Sequence, residues 1–378
     1  MAGESGLSGA EVELVRRAVD AGDPLPGTRG FAGRLLDGRL VRDVLGRVPL
    51  FSEADDATAW SHDPTDLDAP DPVPAGHARV PASDANDGAA RDERLWNLPD
   101  PPPVDDRREA VDAVRTAVDA SLSDAPADGT AVAFSGGVDS ALVAAALDRP
   151  CYVAGFPESH DVTAAREAAA MLDCDLTVVE LDHDAVERAV PAVARATGRT
   201  NAMDVEIALP LFLVAERVAA DGHDRLAVGQ GADELFGGYD KVARADHRVA
   251  ADTVRGAARE TVRSLAEQLP RDALAVRAGG VEPVAPLLDD RVVAAALRLP
   301  GELLVSECGE RKWALRLAAR EFVPDRVAFR EKKAVQYGSL VARELDRLAR
   351  QAGFKRRRDD HVTSYVESRV RAERASRD

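Results

Sequence analysis

Apolar and polar positions along the chain follow two different rhythms. Stretches with apolar residues at helical spacing separate four short apolar runs, at residues 131–134, 151–156, 176–181 and 225–229. Strands that alternate with helices favour a parallel sheet covered on both faces. One of the helical stretches contains Pro191, which we expect to interrupt its helix. From residue 241 onward the pattern is almost wholly helical, so the predicted fold class is α/β with a helical C-terminal part.

The chain before residue 105 has a different pattern. Short alternating runs at residues 31–53 predict strands joined by turns, and residues 54–104 are rich in Asp, Pro and Ala. A Pro-rich linker at residues 98–106 precedes the next helical pattern. We therefore predict three parts: a small α+β domain at residues 1–104, an α/β domain at residues 105–350 and a charged C-terminal tail at residues 351–378.

The composition is acidic and poor in lysine. The formal net charge is −17 at pH 7, and the chain has five lysines while arginine is abundant. Dense carboxylates are typical of a protein adapted to a salty cytosol, where they maintain solubility, and the alternative is an acidic protein that avoids nucleic acid. Both interpretations argue against non-specific binding to RNA or DNA.

The cysteines and the N-terminus indicate a location. Cys151, Cys174 and Cys308 show no CxxC spacing, so neither a zinc site nor a disulfide framework is indicated. The N-terminus has no signal-peptide pattern, and no apolar run reaches ~18 residues. We therefore expect a soluble cytoplasmic protein with no membrane partner.

A glycine turn follows the first apolar run. Residues 135–140 have the sequence SGGVDS, and a helical pattern begins directly afterwards. Such a turn directs backbone N–H groups and hydroxyls at one spot, where the helix dipole favours negative charge and glycine lets a phosphate approach the backbone. A carboxylate such as Asp139 fits beside phosphates if Mg2+ lies between them. The turn is therefore either a site for the phosphates of a Mg-nucleotide or a purely structural strand–helix connection.

A second glycine-rich segment, GQGADELFGGY at residues 229–239, follows the last apolar run. It carries the acidic pair Asp233 and Glu234. Ligands of parallel sheets collect at the carboxyl ends of strands, so we expect Asp139 and Asp233 to reach the same cation. Two carboxylates with triphosphate oxygens suit Mg2+. The alternative is an acidic surface turn.

This ordered set of motifs resembles the synthetase domain of asparagine synthetases, which belong to the ATP pyrophosphatase superfamily. The resemblance covers roughly residues 105–345. Its elements are SGGVDSA (135–141), YVAGF (152–156) with the later Asp161, GQGADELFGGY (229–239), VAPLLDDRVVAAALRLP (284–300), ERKWALRLAA (310–319) and FREKKAVQYGS (329–339). It implies the PP-loop fold, similar to adenine-nucleotide alpha hydrolases. It also implies ATP-dependent transfer of AMP to a carboxylate such as the side chain of aspartate, release of pyrophosphate, and attack of ammonia on the acyl-adenylate.

The resemblance also implies a role for individual residues. Those whose backbone would contact adenosine are Phe134, Ala154, Val228 and Gly229. Those that would hold pyrophosphate are Ser135, Gly136, Gly137 and Ser140, and those that would hold Mg2+ are Asp139 and Asp233. Lys332 would stabilise charge on the phosphate in the transition state, with an exposed salt-bridging lysine as the alternative.

Two positions depart from the family pattern. Gln230 stands where well-studied members carry an acidic group thought to take a proton from ammonia, and an amide cannot act as a base. Glu234 or solvent would then substitute, or the nucleophile differs. Glu206 stands where related enzymes carry an Arg in the substrate region. The alternatives are therefore another carboxylate, an intramolecular amine as in the related β-lactam synthetases, or a non-catalytic ATP-binding relative.

Residues 1–104 resemble a truncated glutaminase domain. RDVLGRVPLF (42–51) is similar to a late glutaminase motif, and PAGHARV (74–80) to the segment after it. Glutamine-dependent members carry a catalytic Cys directly after the initiator Met, because the terminal amine serves as base for the thiol, but residue 2 here is Ala. We therefore expect use of free ammonia, or of ammonia from a partner glutaminase, and no hydrolysis of glutamine. A homodimer is left open.

Overall fold

The computed structural model describes residues 6–81, 90–244, 250–331, 335–355 and 360–375. The chain divides into two compact units, each built from stretches that are distant in sequence. The first contains Met1–Asp124, Gly229–Pro270 and Ala285–Arg320, and the second contains Ala125–Val228, Arg271–Val284 and Glu321–Asp378.

Strands and helices are numbered in chain order within the described residues. The strands are β1 Gly6–Ser8, β2 Ala32–Arg34, β3 Leu40–Arg42, β4 Phe51–Glu53, β5 Trp60–Ser61, β6 Pro70–Pro72, β7 His77–Val80, β8 Arg91–Arg94, β9 Thr130–Ala133, β10 Cys151–Gly155, β11 Leu176–Glu180, β12 Arg225–Ala227 and β13 Glu282–Val284. The helices are α1 Val12–Ala21, α2 Arg107–Ser123, α3 Val138–Leu147, α4 His160–Leu172, α5 His183–Thr197, α6 Ala202–Ala220, α7 Ala232–Leu235, α8 Asp240–Arg244, α9 Val254–Ala278, α10 Asp290–Leu297, α11 Gly301–Leu304, α12 Trp313–Ala319, α13 Asp325–Ala328, α14 Val335–Gly338, α15 Val341–Gln351 and α16 His361–Ala375.

Antiparallel sheets form the N-terminal part of the first unit. Within the described residues, one sheet has the order β1-β2-β3-β7-β8 and another the order β5-β4-β6. Val15 and Ala18, one helical turn apart, bury one face of α1 in a cluster with Phe31 and Trp96. The two aromatic rings meet edge to face with their centroids 5.7 Å apart. An amphipathic helix and a few aromatic side chains thus supply this small core.

Helix α2 organises the rest of the first unit. Asp106 caps its start by accepting hydrogen bonds from the N–H groups of Arg108 and Glu109, and its buried face packs against α10 and α12. Ser121 Oγ donates to the carbonyl of Pro286 at 2.7 Å. This bond fixes the short 3-10 turn Pro286–Leu288, which is important for the candidate site described below.

A parallel sheet forms the centre of the second unit. Its order is β11-β10-β9-β12-β13, and every neighbouring pair is parallel. The predicted apolar runs supply β9 to β12, and their carboxyl ends lie at one edge of the sheet. Helices α4 and α6 pack against β10. Because the sheet is fully parallel, residues that follow β9, β10 and β12 are brought to the same edge.

Helix α5 differs from the prediction at Pro191. It continues through the proline from His183 to Thr197, because its apolar face is buried and packs against α6 and α16. Packing of Val190 and Val193 outweighs the hydrogen bond that the proline removes.

The predicted fold class is confirmed: antiparallel strands precede a parallel α/β sheet, followed by helices. The predicted domain bounds at residues 104 and 350 stay predictions. Among the helices of the described ranges, none combines the length and the apolar character that crossing a bilayer requires.

Candidate active site

The loop after β9 has the geometry of an anion site. The strand ends at Ala133, and α3 begins at Val138 after Gly137, which offers no capping side chain. The N–H groups of a helix's first turn have no acceptor within the helix, and the dipole there favours negative charge. Ser140 Oγ accepts a hydrogen bond from the Ser135 N–H and lies 3.2 Å from Ser135 Oγ. Two hydroxyls therefore stand beside the helix start.

Gly136 must be a glycine for two reasons. Its φ is +72°, which side-chain-bearing residues rarely adopt, and a Cβ there would lie 2.5 Å from the carbonyl oxygen of Ala164. The loop thus passes directly over the backbone of α4. Asp139 lies in the first turn of α3 and is the carboxylate next to this loop.

The predicted adenosine contacts of the second unit lie at the same edge. Phe134, Ala154 and Val228 are buried at the carboxyl ends of β9, β10 and β12. The N–H of Phe134 donates to Tyr152 O at 2.7 Å, and the N–H of Val228 donates to Val284 O at 2.8 Å. The sheet topology therefore brings these three backbones to the edge that carries residues 135–140.

The segment around α14 also belongs to this edge. Phe156 N–H donates to Ser339 O at 3.3 Å. Asp161, buried at the start of α4, faces Gly338 so closely that a Cβ there would overlap the carboxylate. Lys332 itself lies outside the described residues, so its predicted role stays a prediction.

Residues 229–239, in the first unit, form a turn followed by the short helix α7. Gly231 caps that helix with a φ of +87°, and Leu288 lies directly against it. Gln230, just before this turn, is half-buried. Asp233 and Glu234 lie in α7 but face different surroundings.

Asp233 has a basic partner that the sequence analysis did not select. Lys312 Nζ lies 2.9 Å from Asp233 Oδ1, and the lysine side chain is 9% exposed against 46% for the aspartate. Lys312 holds a left-handed backbone with a φ of +58° directly before α12. Gly238 leaves room for this pair, because a Cβ there would meet both Asp233 Oδ1 and Lys312 Cε. Two signals for Lys312 were available in the sequence: the scarcity of lysine and its place in the motif ERKWALRLAA (310–319).

Glu234 is buried beside this pair. Its Oε1 accepts a 2.5 Å hydrogen bond from Tyr239 OH, and Thr261 Oγ1 donates to its carbonyl at 3.0 Å. Burial, and secondarily the charge of Asp233, raises the pKa of Glu234 to about 7, while Tyr239 and Lys312 oppose the shift. The carboxyl can therefore gain or lose a proton near neutral pH.

Glu206 is a second carboxyl with a raised pKa, in the second unit. It lies half-buried in the second turn of α6, and burial together with the charge of Asp346 raises its pKa to about 7. The N-terminal end of α6 lies on the carboxyl-edge side of the sheet, since α6 runs back to the start of β12.

The predicted residues thus form two groups. The first unit contains Gly229, Gln230, Asp233 and Glu234, and the second contains Phe134, Ser135, Gly136, Gly137, Asp139, Ser140, Ala154 and Val228. The sharing of one cation by Asp139 and Asp233 stays a prediction. Over the described ranges, no three His, Cys, Asp or Glu side chains gather as metal ligands. Mg2+ is commonly held by one or two carboxylates together with substrate phosphates.

Comparison with the sequences of known proteins identifies a family. The sequence model of the family described as asparagine synthase matches residues 109–278 and 255–373. A Methanocaldococcus jannaschii protein named "Putative asparagine synthetase (glutamine-hydrolyzing) 1" is 29% identical over 282 residues, which is 65% of this chain and 52% of that protein. Escherichia coli asparagine synthetase B (glutamine-hydrolyzing) is 27% identical over 263 residues, 62% of this chain and 45% of its own. The Zea mays glutamine-hydrolyzing asparagine synthetase is 27% identical over 236 residues, 55% and 39% of the two chains.

The chain spans about half the length of the first of these relatives and less of the others. The family match begins just inside α2 and covers the loop after β9, the turn at Gly231 and the segment around α14. By that match, which extends over more than half of its residues, the chain belongs to the asparagine synthase family.

Proposed function

We propose that this protein is an ATP-dependent amide-forming ligase that adenylates a carboxylate and passes the acyl group to ammonia. The observation that carries the proposal is the loop at residues 135–140, where α3 begins without a capping side chain and the hydroxyls of Ser135 and Ser140 lie beside its first turn. The carboxylate is the side chain of aspartate, and the product is asparagine. We also propose that the chain divides into a domain at residues 1–104, a domain at residues 105–350 and a tail at residues 351–378.

The chemistry requires activation because a free carboxylate does not react with ammonia. Attack of the carboxylate on the α-phosphorus of ATP forms the acyl–AMP anhydride and releases pyrophosphate. Ammonia then attacks the acyl carbon, AMP leaves, and one proton is lost to give the neutral amide. Positioning and charge neutralisation supply most of the rate in such transfers.

Individual residues can be assigned to the first step, in which AMP is transferred to the carboxylate. We assign the pyrophosphate to Ser135, Gly136, Gly137 and Ser140, and the adenosine to backbone at Phe134, Ala154, Val228 and Gly229. Asp139 and Asp233 would hold Mg2+, which when bound neutralises phosphate charge. Lys332 would stabilise the phosphate in the transition state. The buried ammonium of Lys312 fixes the orientation of Asp233, which supports a role for both residues.

The nitrogen donor in this proposal is ammonia. The first Cys of the sequence is Cys151, which is buried in β10, where burial raises the pKa of its thiol strongly. Burial also raises the pKa of the Cys174 thiol. A nucleophilic thiol needs a lowered pKa, so neither of these two cysteines suits glutamine hydrolysis. A partner glutaminase is the alternative source of ammonia.

A second candidate keeps the adenylation and changes the acceptor. Glu206 places a half-buried carboxyl on the sheet edge where the resemblance leads us to expect an Arg, and Gln230 offers no base. Both favour a substrate other than aspartate, including one that carries its own amine. An ATP-binding protein without catalysis is the remaining alternative.

Pyrophosphate exchange tests these candidates. The protein is incubated with Mg-ATP, labelled pyrophosphate and a panel of amino and dicarboxylic acids, with and without an ammonium salt. Aspartate-dependent exchange, followed by AMP and asparagine when ammonium is added, supports the proposal, whereas ADP as product refutes it. Exchange with another acid alone selects the second candidate. Binding of Mg-ATP without any exchange selects the non-catalytic alternative. Asp139→Ala is the matched inactive variant.

A further inference from the structure

A buried arginine of the N-terminal sheets reaches the turn that precedes α10. Arg47, with its side chain 3% exposed, donates from Nε to Asp43 Oδ1 at 2.8 Å. Its Nη1 donates to Asp290 Oδ1 and to the carbonyl of Leu288, each at 2.7 Å. Both aspartates are buried as well. All of these residues belong to the first unit.

The second carboxylate oxygen of Asp290 also binds the N-terminal part of the chain, at Gly27 and Thr28. Its Oδ2 accepts from the N–H groups of Gly27 and Thr28, at 3.0 and 2.7 Å, and from Thr28 Oγ1 at 3.2 Å. The backbone N–H of Asp290 donates back to Thr28 O at 2.9 Å. Charge-assisted hydrogen bonds in a buried site are strong and directional. They fix the turn Pro286–Leu288 against the N-terminal sheets.

Leu288 connects the Arg47–Asp290 ion pair with the glycine turn of the candidate site. Its side chain is buried and lies against Gly231, where a Cβ would overlap Leu288 Cδ2. Gly231 caps α7, the helix that carries Asp233 and Glu234. Protein interiors are close-packed, so a displacement of the Leu288 side chain also displaces the backbone at Gly231.

We propose that Arg47 is a positioning residue for residues 229–239. It fixes Leu288, Leu288 fixes the Gly231 turn, and that turn sets where Asp233 lies. This inference rests on the proposed function for the role of Asp233, while the mechanical link stands on the contacts alone. It gives the N-terminal sheets a task that needs no glutaminase chemistry.

Hydrogen–deuterium exchange of peptides covering residues 229–239 tests the link. The reporting amides are those of Leu235, Phe236 and Gly238, which donate within this segment at 2.9, 3.1 and 2.7 Å. Arg79→Met is the matched control, because Arg79 is also buried and paired with two aspartates, Asp71 and Asp92, but its hydrogen bonds and ion pairs stay within the N-terminal sheets. Variants are compared equally far below their own unfolding midpoints.

We expect exchange of these amides to rise about tenfold in Arg47→Met and in Leu288→Ala, and to stay unchanged in Arg79→Met. Equal acceleration in all variants would mean general destabilisation and would overturn the inference, as would unchanged exchange in Arg47→Met. If Arg47→Met does not fold, Asp290→Asn weakens the same bond and takes its place.

Pyrophosphate exchange supplies a second readout. A positioning role predicts that Arg47→Met needs about tenfold more Mg2+ for half-maximal exchange, with a smaller loss in maximal rate, while Arg79→Met matches the parent protein. An equal Mg2+ requirement in all three proteins contradicts positioning of Asp233. If the parent protein catalyses no exchange, the proposed function fails, and the amide measurements still decide whether Arg47 holds the turn.

Discussion

The ammonium of Lys312 lies 2.9 Å from the Oδ1 atom of Asp233 and is almost fully buried, although the aspartate itself is half exposed. Asp233 therefore presents part of its carboxylate to solvent while a fixed charge orients it. Such an arrangement suits a carboxylate that receives a cation from solution, because the side chain is both accessible and oriented.

Neutralising Asp233 should separate its structural from its chemical role. Asp233→Asn leaves the buried ammonium of Lys312 without that partner, so we expect the free energy of unfolding to fall by about 1–3 kcal/mol. The double variant Asp233→Asn with Lys312→Met should recover most of this loss in urea unfolding, because the buried ammonium is removed together with the carboxylate that it faces. Pyrophosphate exchange should remain lost in both.

Asp240→Asn is the control for that experiment. Asp240 pairs with Arg244 at 3.2 Å on the surface of α8, where both side chains are mostly exposed. An exposed pair contributes little, so the change should stay below about 0.5 kcal/mol. Recovery of exchange in the double variant would contradict a chemical role for Asp233.

Gly136→Ala should impair the loop more than its backbone conformation alone requires. A left-handed alanine costs about 1–2 kcal/mol, and overlap with the Ala164 carbonyl adds about 1–3 kcal/mol. Gly198→Ala is the matched control, since Gly198 has a φ of +65° with nothing within 4 Å of its Cβ position. We expect a larger loss of stability for Gly136→Ala in urea unfolding, and loss of Mg-ATP binding by calorimetry in that variant alone. Equal behaviour of the two variants would contradict a close approach at Gly136.

The sequence was sufficient for most of the parallel sheet because four of its strands lie in short, mainly apolar runs between helical patterns. It did not predict β13, where Pro283 stands in a three-residue strand. The structure explains this: β13 pairs only with β12 at one edge of the described sheet, where a missing N–H is tolerated. Continuity of α5 through Pro191 was also missed, since it depends on tertiary packing.

The loops of the candidate site were predictable because glycine and acidic residues mark them locally. Their supports were not. Lys312 and Arg47 act through partners that lie far away in sequence, as the 243-residue separation of Arg47 and Asp290 illustrates. A charged side chain carries no local signal of the partner it will meet in the folded chain. Long-range ion pairs therefore had to come from the structure.

Stability should depend on pH through Glu234. The pKa of this carboxyl is raised from 4.5 to about 7 in the folded protein, so the folded state binds its proton more tightly than the unfolded chain does. The contribution is fully present below the unfolded pKa and is lost as pH rises through the folded pKa. We expect a loss of about 3 kcal/mol across this window.

Urea unfolding of the parent protein and of Glu234→Gln across this window measures that contribution. The difference between the two free energies of unfolding should change with pH and level off above about pH 7. Tyr239→Phe removes a hydrogen bond that lowers the pKa, so the window should extend to higher pH in that variant. Parallel curves for the parent and Glu234→Gln would rule out a raised pKa at Glu234.

Gln230→Glu tests whether ammonia is the nucleophile. A carboxylate at this half-buried position, directly before Gly231, supplies the base that the amide cannot provide. Removal of the proton from attacking ammonia by a positioned base is worth about 100-fold or more, so amide formation should rise by at least about tenfold while aspartate-dependent pyrophosphate exchange stays near its parent rate. Gln268→Glu in α9 adds the same charge within the first unit and should change neither rate. If amide formation does not rise in Gln230→Glu although exchange persists, proton removal at this position does not limit the second step, and an acceptor that carries its own amine becomes the better explanation.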